Sequence, residues 1–148
     1  MARLGLPFPL GGTSNHFRVD VLREVGGWDA FNVTEDADLG IRLAQEGFTV
    51  GVINSTTYEE ANGVLPSWVK QRSRWIKGYM QTWLVHMRDP VHLYRSIGPL
   101  GFFGFHFFIG APALTVLLNG SLGSLRGLGY TLYYTTTFVF TGLAVAVA

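Results

Sequence analysis

Two polar clusters in this sequence have residue types and spacing that could do chemistry together. One is Thr34-Glu35-Asp36, with Asp38 close behind; the other is Gln71-Arg72-Ser73-Arg74-Trp75. Carboxylates as crowded as Glu35, Asp36 and Asp38 repel one another, which either raises a pKa toward the range of a general base or awaits a cation. A base there would suit removal of a proton from a hydroxyl. Acids in the first turn of a helix also complement its dipole, so the triplet taken alone favours structure over catalysis. On a helix at roughly 100° per residue, Gln71, Arg74 and Trp75 fall on one side, while Val69, Ile76, Met80, Trp83 and Met87 gather on the other. An amide, a guanidinium and an indole side by side form a surface for sugar or phosphate. Arg grips diphosphate oxygens bidentately, Gln bonds hydroxyls, and Trp offers a flat apolar face to a pyranose. The same helix also suits a membrane interface, with Trp68, Trp75, Tyr79 and Trp83 at headgroup level and its Lys and Arg on anionic lipid.

The elements that must position these residues are predicted by pattern. Phe8 to Asn15 reads as a strand end running into a loop, and Gly11-Gly12-Thr13-Ser14-Asn15 is a nest-like candidate for a glycan or phosphate, or only a turn. Val19 to Val25 reads as a short helix stopped by Gly26-Gly27. Thr34 is placed to cap a helix from Glu35 to Glu46, with Leu39, Leu43 and Ala44 inward and Gly47 as its stop. Phe48 to Ile53 reads as a strand and Thr56 to Glu60 as another short one, with Tyr58-Glu59-Glu60 as an exposed edge. Pro66 suits the first turn of a long helix reaching about Met87. Helices alternating with strands predict an α/β arrangement, although so few strands do not complete a sheet.

Composition divides the chain. Its 148 residues are 48% hydrophobic and 14% charged. Every Lys and Arg except Arg126 lies before position 96, and no Asp or Glu follows Asp89. The net charge of +1 excludes a broad basic field, so no nucleic-acid partner is expected. Cysteine is absent, which excludes a disulfide framework, cysteine-based zinc sites and a thiol nucleophile. Pro7 and Pro9 interrupt what would have to be the apolar core of a signal peptide. Leu100 to Leu118 and Leu128 to Ala148 carry no formal charge and are each long enough to cover most of a hydrocarbon core of roughly 30 Å. With the glycine-rich link Asn119 to Gly127 between them, they predict a transmembrane hairpin; soluble buried helices are the alternative. Lys70, Arg72, Arg74, Lys77, Arg88 and Arg95 precede the first span, which places the polar half in the cytoplasm. His106 and Gly110-Ala111-Pro112 inside that span mark a helix contact or a kink.

In order, Gly-Gly-Thr-Ser, Gly-Gly-Trp-Asp, Thr34-Glu35-Asp36, Gln71-x-x-Arg74-Trp75 and then apolar spans make the chain resemble the membrane-integrated family 2 glycosyltransferases, the cellulose-synthase-like group. The resemblance covers about Leu6 to Pro90 by motif and the rest by the expected spans. It implies a GT-A type domain, inverting transfer from a nucleoside diphosphate sugar, with UDP-sugar expected, and a divalent metal, Mg or Mn. It implies Asp36 as the general base, with Thr34 and Glu35 shaping its loop. Gln71 and Arg74 would hold the donor diphosphate, and Trp75 would stack on an acceptor sugar. Gly12, Thr13 and Ser14 stand where relatives carry a Phe-Phe-Cys-Gly-Ser type acceptor loop, from which Pro9-Leu10-Gly11-Gly12-Thr13-Ser14 departs. Relatives also carry, ahead of this region, an Asp-Asp-Gly and a metal-binding Asp-x-Asp, and neither precedes Thr34 here.

The expectation is therefore a part of a membrane glycosyltransferase. Residues 1–92 would be the acceptor-side portion of a partial GT-A domain with an interfacial helix, and 97–148 two transmembrane helices. The whole would be a multi-pass protein of the plasma (inner) membrane, inactive as these residues alone, with its metal bound mainly by residues outside the chain and membrane lipid around its spans. The acceptor would be a glycan or glycolipid. The alternative is a non-catalytic membrane module that binds glycans or lipid headgroups through the same aromatic and cationic face. A metal-dependent hydrolase built on Glu35, Asp36 and Asp38 fares worst, because no histidine is spaced to complete its site.

Overall fold

The computed structural model describes residues 10–11, 14–51, 53–60 and 62–120, with the backbone alone for 116–120. Its helices are α1 (Val19–Glu24), α2 (Glu35–Gln45), α3 (Leu65–His86), α4 (Pro90–Phe105) and α5 (Ala111–Gly120), and a π-helical turn, His106–Gly110, joins the last two. The predicted helices of the polar half lie within a residue or two of their expected ends.

The strands do not appear. Among the described residues none is in a β-ladder, and the described parts of 48–53 and 56–60 run as irregular chain. A strand is held by hydrogen bonds to a neighbour, and no described segment lies alongside to supply them. The described residues are thus mostly helical, and the α/β expectation is not confirmed by them. Phe48 and Val50 still pack inward, against a cluster of Leu10, Val25, Leu39 and Leu43.

Helix α2 organises everything else because it is buried on two sides. Leu39 and Leu43 face that first cluster, whereas Ala37 and Ile41 face a second, formed with Leu93, Phe105 and Ile109. Full burial of each Leu or Ile side chain is worth about 1.5–3 kcal/mol, so this helix is firmly seated. Its link to α1 is ionic. Arg42 Nε donates to Asp38 Oδ2 at 2.8 Å, while Nη1 and Nη2 donate to the carbonyls of Val25 at 2.5 Å and Gly27 at 2.7 Å. Carbonyls left unpaired at the end of α1 are thereby satisfied. The turn they belong to needs its glycines, since Gly26 and Gly27 sit at φ 81° and 71°.

Asp89 begins α4 by accepting from the His92 backbone N–H at 2.9 Å, with Pro90 following in the first turn. At Gly98, with φ 71° and ψ 173°, the helix breaks, and Pro99 starts a new stretch. The π-turn comes just ahead of Pro112, whose ring would otherwise crowd the carbonyl four residues earlier. Pro90–Thr115, 26 residues, is the one described helical run long and apolar enough to cross a bilayer. Its inward side carries Gly101, Phe105, Ile109 and Ala113, and its outward side exposes Leu100, Phe103, Phe107 and Leu114. The second predicted span, Leu128–Ala148, and most of the link before it lie outside the described residues.

Candidate active site

The acids of the first cluster separate into different environments. Asp38 is buried, its Oδ2 bonded to Arg42 and its Oδ1 2.9 Å from His86 Nε2. Burial alone would raise its pKa, but the His86 hydrogen bond and the Arg42 charge outweigh this and hold the carboxyl below the usual carboxylate range. Asp38 is a tie between α2 and α3. Among the described residues Asp36 has no basic hydrogen-bond or ion-pair partner; its Oδ1 accepts the Ala37 N–H at 2.8 Å. Burial pushes its carboxyl up and the Glu35 charge adds to that, against the pull of the Ala37 N–H. Unlike Asp38, Asp36 is left available to take a proton.

Thr34 has a different task from capping. It stands at the N-cap of α2, but its hydroxyl makes no capping bond. Thr34 is buried, its backbone N–H donating to Asn32 Oδ1 at 3.1 Å and its hydroxyl 3.4 Å from Thr82 Oγ1. Asn32 Nδ2 donates to the same Thr82 oxygen at 2.8 Å. This knot presses the start of α2 onto α3 at Gly78, where an added Cβ would come within 2.5 Å of Thr34 Cγ2. The acid-bearing end of α2 is therefore locked against the middle of α3.

Helix α3 packs through Trp83 and Met87 of the side expected to anchor it, and also through small residues not on that side. Gly78 and Thr82 are its buried residues, with Tyr79 and Trp83 packed into the second core. At helical spacing Gly78 and Thr82 continue the line of Gln71 and Trp75, whereas Trp83 and Met87, also packed on the second core, lie on the side expected to anchor the helix. The C-terminal length of α3 packs on α2 and the apolar run, and its N-terminal length carries Gln71, Arg72, Arg74 and Trp75. Tyr79 bridges the two. Burial raises the pKa of its hydroxyl, Asp36 adds to this, and Arg72 opposes it, so Tyr79 is an electrostatic neighbour of each. Arg72 in turn lies over the Trp75 ring at 4.4 Å, and Trp75 remains 39% exposed.

The other predicted residues are distributed as follows. Gln71 is half-buried and Arg74 exposed, neither hydrogen-bonded nor ion-paired to a described residue. Glu35 is half-buried at the start of α2. Gly12 and Thr13 lie outside the described residues. Ser14, at φ 59°, hydrogen-bonds Thr57 at 2.6 Å, which ties its loop to the exposed segment before Tyr58 and not to α2 or α3. Asn32, Gly78 and Thr82 are neighbours of the site that pattern reading passed over. A glycine in mid-helix, unfavourable by propensity, was the signal for Gly78.

Asp36-Ala37-Asp38 has the spacing of a metal-binding pair, but both Asp38 oxygens are engaged by Arg42 and His86. Among the described residues no group of His, Asp or Glu could hold a metal ion. The residues present do not fit the divalent metal that the resemblance implies.

The chain belongs to the Glycosyl transferase family group 2, which it matches over residues 1–148. It is similar to the uncharacterized glycosyltransferase YaiP of Escherichia coli, 34% identical over 78% of this chain and 26% of that protein. It is similar to the probable glycosyltransferase YdaM of Bacillus subtilis, 29% identical over 66% of this chain and 24% of that one. A third relative is the beta-monoglucosyldiacylglycerol synthase of Synechocystis, 33% identical over 53% of this chain and 17% of the synthase. The chain thus spans about a quarter or less of the length of these relatives. No solved structure matches it.

Proposed function

We propose that these residues form the acceptor side of an inverting membrane glycosyltransferase that uses a nucleoside diphosphate sugar, UDP-linked in the first instance, at the cytoplasmic face of the plasma membrane. The observation that supports the reading is the seating of the start of α2 on α3 at Gly78, about one turn along the helix from Trp75, with Asp36 an electrostatic neighbour of Tyr79. Asp36 takes the proton of the acceptor hydroxyl as its oxygen attacks the anomeric carbon from the side opposite the nucleotide. The bond from that carbon to the diphosphate breaks, the nucleoside diphosphate leaves, and configuration inverts. Gln71 and Arg74, both without a partner among the described residues, hold the diphosphate, and Trp75 stacks on the acceptor ring.

Residues 1–92 supply this surface on the reading, and 97–148 anchor it by a helical hairpin. The divalent metal is assigned to residues other than those described, in keeping with the small share of its relatives that the chain spans. The name of the Synechocystis relative denotes a glycolipid product, which supports a lipid acceptor alongside a glycan.

In membranes carrying the complete catalytic unit, Asp36→Asn should lower turnover by about 10²–10⁴-fold with donor binding nearly intact, because basicity is lost and volume is not. Transfer of radiolabelled sugar and donor binding, measured side by side, check this. Normal turnover with lost donor binding would remove Asp36 from the role of base. The second reading, a glycan- or headgroup-binding module without catalysis, draws on the unpaired cations of α3 and predicts no transfer from any donor.

A further inference from the structure

The turn that bears Gln71, Arg74 and Trp75 holds another cation, at a position the proposed reaction leaves without a task. Trp68, Arg72 and Trp75 stand at i, i+4 and i+7 of α3 and so share a side of the helix. The Arg72 guanidinium carbon lies 4.4 Å from the Trp75 ring centroid and 5.4 Å from that of Trp68. Its Nε is buried and meets no acceptor among the described residues. The ion pairs among those residues are Arg18–Asp20, Arg42–Asp38 and His86–Asp38, and none involves Arg72. A buried N–H without an acceptor is costly, and a methionine at this position would cover both indoles without that cost. The charge and the planar shape must serve something that packing does not.

We propose that Arg72 is a positioning residue for the acceptor sugar: stacked on one face of the Trp75 indole, it fixes the ring's orientation and leaves only the opposite face to a pyranose. The inference rests on the reading of Trp75 as the acceptor platform. With Arg72 in place the indole is still 39% exposed, so an open surface remains for the ligand. The guanidinium suits this task better than an ammonium, since its flat, weakly hydrated fork lies parallel to a ring.

Enzyme-containing membranes assayed with varied acceptor and varied donor test the assignment. Arg72→Met, which keeps the stem and removes the charge, should raise the acceptor KM about three- to tenfold, with the effect concentrated there rather than in kcat or the donor KM. Arg72→Lys should recover part of the loss. In a Trp75→Ala background, Arg72→Met should add nothing further, because the two act as one unit. An unchanged acceptor KM, an equal rise in donor KM, or full additivity with Trp75→Ala overturns the proposal. Absence of any sugar transfer from the unaltered enzyme would instead overturn the functional reading, and the stack is then tested without turnover. In a protein with Trp28, Trp68 and Trp83 changed to Phe, Arg72→Met should increase quenching of Trp75 fluorescence by acrylamide; unaltered quenching overturns the positioning role.

Discussion

Asp36 and Asp38 stand two positions apart on α2, and their surroundings drive their proton affinities in opposite directions. Burial and the Glu35 charge hold Asp36 above its ordinary range. As a general base it must be ionised, so the rate should rise with pH through a midpoint above the usual carboxylate value of about 4 and fall as pH drops below that midpoint. A kcat/KM profile whose acid limb lies at or under pH ~4 would contradict this. For stability the signs differ. The folded-state pKa of Asp38 is depressed, so its contribution is present above the unfolded value of about 3.9 and is lost as pH falls through the lower, folded one. Asp36, raised, works the other way, its folded state favouring the proton. Asp38→Asn should cost about 3 kcal/mol at neutral pH, because Arg42 and His86 would face a neutral amide in a buried setting. Thermal melts by circular dichroism in detergent, from pH 3 to 7, should show the variant less stable at pH 7 and converging on the parent toward pH 3. A constant difference across that range would mean that Asp38 acts through its volume and not its charge.

Between elements, the decisive joint is Gly78 of α3 against Thr34 of α2. A Cβ at position 78 would stand 2.5 to 2.9 Å from three Thr34 side-chain atoms, and Thr34 is itself held by Asn32 and Thr82. Neither helix can yield locally. Gly78→Ala should therefore lower stability by about 1–3 kcal/mol despite alanine's better helix propensity, and should cut sugar transfer more than Ala substitutions at exposed positions of α3 such as Ser73. Melting and transfer rates measured on the two variants check this, and a stabilised Gly78→Ala would mean the helices are less closely apposed. The joint also explains what could be read from the amino-acid order and what could not. Helix limits are set by local signals, the glycines after α1 and α2 and the proline opening α3, so they were legible. Which side of α3 packs was legible in part: Trp83 and Met87, which periodicity picks out, lie on the second core, but the most buried residues are Gly78 and Thr82, small and weakly hydrophobic, which periodicity does not weight. The pairing of Asp38 with His86 spans 48 positions and has no local trace. The strands assigned from β-branched runs failed for the same reason: a ladder depends on a distant partner.

At the scale of the whole molecule, the catalytic reading requires that the surface of α3 meet the membrane. The second core contains Ala37 and Ile41 of α2 together with Leu93, Phe105 and Ile109 of the apolar run, and Trp83 of α3 donates to His106 Nδ1 at 3.1 Å. Gly110 admits that indole, since a Cβ there would lie 2.7 Å from Trp83 Nε1. Site and span are thus one packed body, and the position of the first follows from that of the second. The outward residues of the run decide its surroundings. Phe103 is 78% exposed and Leu100, Phe107 and Leu114 lie on the same side, an apolar stripe that suits acyl chains and would be a liability in water. Because these 148 residues hold no cysteine, single thiols introduced among them report location without background from the rest of this sequence. Ser73→Cys on exposed α3 should react with a membrane-impermeant maleimide only when the cytoplasmic side is opened, as the run of basic residues before the span dictates. Leu114→Cys should resist the reagent from either side until detergent is added, being shielded by lipid. Ready labelling of Leu114→Cys in sealed or opened membranes would show that the run packs in an aqueous setting, and the transfer site would then have to be sought away from the bilayer.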